Sequence, residues 1–196
     1  MKLKLLVLLS IVLCSISFAQ EKKWNVEANY TLVPGDGVFG EDNFIDVGAK
    51  FRFAKIGVFG LGFGINAGFS RVNVENTGFE SRTDNTHLIQ PRVFTELMIP
   101  GAQKLRPYLG LGYSYVNVLS NYTFENGGQG SNTGIDYGFN FNLGISYNIS
   151  NRFFVQAQYD FIDLTPNVEV PEGVILLSQD IKGNINNIRL GIGYRF

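Results

Sequence analysis

His87 is the one histidine in the chain, and an imidazole can take a proton from a nearby nucleophile at neutral pH. Glu80, Ser81 and Asp84 precede it in the same segment, so the residue types of a Ser–His–acid set are present. A lone loop histidine is the simpler reading. A second kind of chemistry is spread along the chain. Glu27, Asp46, Lys50, Arg52, Arg92, Glu96, Arg106, Asp136, Asp160, Arg189 and Arg195 all occupy the polar positions of alternating apolar–polar segments. Charges on one side of a sheet, facing a confined space, must pair, because a lone desolvated charge costs several kcal/mol. Gly60-x-Gly62-x-Gly64 and Gly110-x-Gly112 resemble nucleotide loops, but neither opens a helix and both follow the two-residue period of a strand. No Cys/His grouping has metal-ligand spacing, and no cofactor is expected.

The elements that carry these residues repeat one pattern. Successive strand side chains point to opposite faces, so strict alternation marks a strand with one apolar and one polar face. Trp24–Leu32, Ile45–Phe53, Phe59–Ser70, Ile89–Leu97, Leu105–Tyr115, Asp136–Tyr147, Phe153–Phe161 and Ile188–Phe196 all show it. Each has about the 9–11 residues of a tilted membrane-spanning strand. Long connections (Pro34–Asn43, Val72–Asn85, Asn117–Gly134, Leu164–Asn184) alternate with short ones (Ala54–Gly57, Pro100–Lys104, Ile149–Arg152). Long loops on one rim and tight turns on the other describe an up-and-down barrel. Val174-Ile175-Leu176-Leu177, beside Pro171-Glu172-Gly173, reads as a short apolar hairpin that packs on its neighbours or offers a sticky edge.

An exported soluble barrel would point its apolar face inward. Here the polar face is rich in Gly, Ser and Asn, which suits a narrow interior. The apolar face carries aromatics near the strand ends: Trp24, Phe51, Phe53, Tyr147, Phe153, Tyr194 and Phe196 at the turn rim, with Tyr30, Phe69, Tyr113, Tyr115, Tyr137 and Tyr159 toward the loop rim. Those are the places of two interfacial girdles. The expected fold is therefore all-β: an eight-stranded antiparallel up-and-down transmembrane β-barrel preceded by a cleaved signal peptide.

The leader is read from Lys2, Lys4, the apolar run Leu5–Ile16 and the small-x-small site Ser17-Phe18-Ala19. Residues 1–19 are the expected signal peptide and 20–196 the barrel domain. Cys14, the single cysteine, falls in the leader, so the mature chain has no disulfide. The charge is nearly balanced (16 basic, 17 acidic), and no nucleic-acid partner is expected.

The leader, the segment Arg106-Pro107-Tyr108-Leu109-Gly110-Leu111-Gly112-Tyr113 and the ending Gly-Ile-Gly-Tyr-Arg-Phe resemble the small eight-stranded outer-membrane barrels of Gram-negative bacteria, the OmpA/OmpX-like group. The resemblance implies residence in the outer membrane with both mature termini in the periplasm. It implies contact with outer-membrane lipid and with the barrel-assembly machinery, for which Tyr194 and Phe196 would carry the signal. The periplasmic domain that follows the barrel in OmpA itself is not expected here. The lipid A deacylases among small barrels place Ser two residues after His; here that position is Ile89.

The residues leave three roles in order. The first is a non-enzymatic barrel for envelope integrity, adhesion or partner binding, with 117–134 and 164–184 as surface-binding loops. The second is a narrow channel for small solutes or ions; the third is a lipid A-modifying enzyme. The lumen network assigned to Glu27, Lys50, Arg52, Arg92, Glu96, Arg106, Asp160, Arg189 and Arg195 serves as a plug in the first reading and lines a pore in the second.

Overall fold

A computed structural model of the chain describes residues 22–32, 44–74, 81–124, 127–166 and 184–196; the leader and the 174–177 hairpin lie outside them. Eight antiparallel strands follow one another around a closed ring. They are β1 (Trp24–Leu32), β2 (Phe44–Ile56), β3 (Phe59–Val74), β4 (Ser81–Leu97), β5 (Leu105–Thr123), β6 (Gln129–Asn148), β7 (Phe153–Pro166) and β8 (Asn184–Arg195). β8 closes on β1 with Asn25 opposite Arg195 and Thr31 opposite Arg189. Closure removes the free sheet edge that lipid cannot tolerate.

Parity is as the alternation requires. Ile45, Val47, Phe63, Ile65, Val93, Leu111, Leu143 and Ile192 are exposed on the outer face, and Asn, Gln, Ser and charged residues are buried within. The rim aromatics stack against each other on the outside, as in Trp24–Phe51 and Phe153–Tyr194–Phe196. The β2–β3 turn is tight, with Gly57 at φ 59°, a conformation side-chain-bearing residues rarely adopt. A bulge between Arg52 and Ala54 leaves Phe53 without a register partner on β3, and its ring packs on Phe63 at the outer face.

Two expectations need correction. The segments 72–85 and 117–134 are not loops for most of their length. β3 and β4 pair up to Val74↔Arg82, and β5 and β6 up to Thr123↔Gln129, so β3–β6 reach 16 to 20 residues. β1, β2, β7 and β8 have 9 to 14. Among the described residues, β3–β6 thus form a tall wall. Its register continues beyond the lipid-spanning length because backbone pairing does not need apolar side chains in water.

The lumen is packed by placing large side chains over glycine. Phe44 lies over Gly68, Phe94 over Gly62, Tyr108 over Gly144 and Phe154 over Gly193, so that a Cβ at any of these glycines would overlap the ring. Gly62→Ala is expected to cost about 1–3 kcal/mol through overpacking against Phe94 and the Phe51 carbonyl. Gly134→Ala, where the added Cβ meets nothing within 4 Å, should be neutral. Urea unfolding of the two variants in micelles measures the difference.

Candidate functional site

The interior side chains form tiers, and the strand register fixes each level. At mid-height Arg189 is fully buried and its Nη1 is shared by Asp46 Oδ2 (3.1 Å) and Asp160 Oδ2 (2.9 Å). Arg92 Nη2 pairs with the same Asp160 at 3.1 Å, while its Nε donates to Asn140 Oδ1 at 3.0 Å. Gln90 Oε1 accepts from both guanidiniums, at 2.6 Å from Arg92 and 2.8 Å from Arg189. Asn142 donates to Asp160 at 2.7 Å, and Asn29 and Asn66 to Asp46 at 2.7 and 2.9 Å. Two cations, two carboxylates and a shell of amides balance this tier, which suits a low-dielectric interior.

Toward the turn rim, Lys50 Nζ pairs with Glu27 Oε2 at 2.8 Å and lies 4.3 Å from the Tyr108 ring centroid. Phe94, Tyr108 and Phe154 cross the lumen here, leaving a void of about 10 Å³, room for about one water. Below them Glu96 receives Arg52 Nε in a close ion pair, Arg195 at 3.2 Å and Arg106 at 3.6 Å. Strand direction in the sequence sets Glu96 near Arg106, and Glu27 near the levels of Lys50, Arg52 and Arg195. Only Lys50 joins it; Arg52 and Arg195 go to Glu96 with Arg106. Asp46, a lumen carboxylate left out of the assigned network, is a principal partner of Arg189.

Toward the loop rim the lumen becomes partly apolar, with Ser70, Thr86 and Asp136 buried at the same register levels as an apolar cluster. Phe44, Leu88, Val116, Ile162, Leu164 and Ile185 form a buried apolar cluster with Val118 packed against it. These residues share the inward parity of their strands but lie in the stretches read as loops or strand ends. The sequence signal for them was that parity alone. Above the cluster Arg82 pairs with Asp84 at 2.9 Å and sits over the Tyr122 ring.

The His87 set does not assemble among the described residues. His87 sits within β4 on the outer face, with its ring 5.2 Å from Phe69. Asp84 has the opposite parity and is bound to Arg82, and Ser81 stands about 20 Å further along the strand. Glu80 lies outside the described residues. No group of three or more His, Cys, Asp or Glu suited to a metal occurs among the described residues.

A closed eight-stranded ring with a lipid-facing apolar band and a charged, filled interior defines a small outer-membrane barrel. The family model for the outer membrane protein beta-barrel domain matches residues 5–196, and the chain belongs to that family, whose place is the cell outer membrane. Solved barrels share the fold. Ail of Yersinia pestis, crystallised with the heparin analogue sucrose octasulfate, has 15% identity and a TM-score of 0.55, covering 89% of this chain and 97% of Ail. Neisserial surface protein A has 13% identity and a TM-score of 0.53 (88% and 96% covered). A major outer membrane protein of Thermus thermophilus has 13% identity and a TM-score of 0.56 (89% and 98% covered). No curated protein matches the sequence.

Arg189→Met is expected to destabilise the barrel by about 3–5 kcal/mol, because it strands two buried carboxylates. Adding Asp46→Asn to it should recover part of the loss. Arg82→Met, near the outer rim, should cost under about 1 kcal/mol. A double-mutant cycle by denaturant unfolding checks all three; equal losses at positions 189 and 82 would contradict the tier.

Proposed function

We propose that the protein is a non-enzymatic surface barrel that binds a protein partner along the strand edges of its tall outer wall. One observation carries this reading. β2 pairs with β3 only as far as Ile45↔Phe69, and β7 with β6 only as far as Asp136↔Pro166. Ser70–Val74 of β3 and Gln129–Ile135 of β6 therefore each have a partner strand on one side only, among the described residues. Backbone N–H and C=O groups on such edges are a template for an added strand. In barrels of this class the long connections face outside and the short turns face the periplasm, which puts the wall at the cell surface.

The filled lumen weighs against the channel alternative: charge tiers, a ring floor and an apolar cluster occupy successive levels. The solitary outward His87 lends nothing to a lipid A-modifying activity. Ail was crystallised with a sulfated sugar, but the described outer wall here is not basic, since Arg71 and Arg82 are matched by Asp84, Asp136 and Asp163. A protein strand fits it better than a polyanion. The 164–184 segment is part of the same proposal, although residues 167–183 lie outside those described. Outer-membrane lipid is the expected partner of the apolar band. Tyr194 and Phe196 are proposed as the signal to the barrel-assembly machinery, by likeness to the family.

Cells displaying the protein should adhere to protein-coated surfaces. Thr133→Lys with Ile135→Lys should reduce that adhesion several-fold at an unchanged outer-membrane level, because lysines on an edge discourage strand addition. Undiminished adhesion would remove the edge from the proposal. The same protein should be silent in a planar bilayer, and steady conductance steps sensitive to Arg92→Gln would restore the channel. Phe196→Ala should lower the amount of assembled barrel.

A further inference from the structure

The turn rim carries an excess of positive charge that no part of the surface reading uses. A basin of about 870 Å³ opens there, with Arg52, Arg106 and Arg195 in its wall and Lys22, Lys23, Lys55 and Lys104 around it. Among the described residues, Glu96 is the carboxylate that serves all three guanidiniums. Glu27, the next acid inward, is already paired with Lys50 at 2.8 Å, behind the Phe94–Tyr108–Phe154 layer. Three cations on one carboxylate leave a local excess of two charges, in contrast to the balanced tier at mid-lumen. The excess is partly desolvated: Arg195 is 4% exposed, and its Nε and Nη1, with Arg106 Nε, find no acceptor among the described residues. A concave basin of one sign beside low-dielectric walls concentrates counter-ions.

The geometry points to a binding site for a compact phosphate-bearing anion at the periplasmic mouth, held by Arg106 and Arg52 with the surrounding lysines. Guanidinium forks match phosphate oxygens and form charge-assisted hydrogen bonds, whereas ammonium groups add charge without fixed direction. Arg106 is the natural first contact. It is the most exposed of the three guanidiniums, and its contact with Glu96 is the longest, at 3.6 Å. The basin holds a pyrophosphate-sized anion or a phospholipid headgroup, and its floor closes it to the rest of the lumen.

The test uses protein purified from outer membranes into a nonionic detergent and titrated with inorganic pyrophosphate by calorimetry at low salt. Binding should weaken as salt is raised. Lys104→Gln with Arg106→Gln should weaken it about tenfold, the scale of one lost charge-assisted contact, in a barrel that still unfolds at the parent midpoint. Glu96→Gln, where it folds, should tighten binding, a change opposite in sign to that expected from damage to the mouth. Nanodiscs separate the sources. Stabilisation by phosphatidylglycerol over phosphatidylcholine that depends on Arg106, without a response to pyrophosphate, assigns the phosphate to lipid. No response to either ligand, or equal responses with and without Arg106, would overturn the site.

Discussion

The pairing of β8 with β1 is the constraint on which the rest of this molecule depends. Without it, Trp24–Leu32 and Ile188–Arg195 would each present a row of unpaired backbone groups to hydrocarbon, at several kcal/mol per group. With it, every strand has two neighbours at the level of the membrane. Eight strands also fix a diameter at which side chains just fill the interior. Closure therefore dictates the contents of the lumen: a narrow cylinder must be packed, and its inner walls must leave space for whatever packs it.

The glycines follow from that demand. A ring or guanidinium that turns into the lumen over its neighbour needs the adjacent strand to supply no side chain at the same register position. Phe94 has Gly62, Phe154 has Gly193, and Arg92 has Gly112. The ions obey the same geometry with stricter rules. Arg189 can be fully buried because two aspartates and a glutamine reach it from three different strands, and each aspartate is held by amides in turn. Such a tier is costly to break and is therefore a device of registration as much as of stability, since one slipped strand would send its charges into lipid.

That parity is why so much of the fold was legible in the sequence. Leu-x-Leu and Phe-x-Phe runs mark one apolar face on each strand, the rim aromatics and the Gly, Ser and Asn of the other face assign it to lipid, and eight such strands with alternating long and short connections imply a closed ring. Two things were not legible. Which acid meets which base depends on the shear of the barrel: Arg195 sits directly across from Asn25 on β1, yet reaches Glu96 on β4 instead of Glu27 on β1. The tall wall was hidden because the rule that reveals strands is a rule about lipid. Where β5 and β6 rise into water, Asn117, Ser120, Asn121, Ser131 and Asn132 break the apolar alternation while the backbone ladder continues. The inner apolar cluster was missed for the converse reason, since Leu88, Val116 and Ile162 have the parity of lumen residues but the chemistry of the outer face.

The two ends of the cylinder consequently differ in kind. Toward the outer end the lumen contains the apolar cluster of Phe44, Leu88, Val116 and their neighbours, which holds through burial, with Ser70, Thr86 and Asp136 buried at the same levels. Balanced ions fill the middle, and three arginines around Glu96 line the inner end. A conducting pore would need polar continuity from end to end, and the ring layer of Phe94, Tyr108 and Phe154, with its void of about 10 Å³, weighs against one. On the reading proposed above, the features used outside are the stretches of β3 and β6 that pair on one side only among the described residues, suited to a chain that can add a strand. Inside, they are guanidinium and ammonium groups around a basin, suited to an anion. The filled middle of the lumen lies between these two proposed surfaces, so each can be altered by substitution without disturbing the ion tier that holds the barrel together.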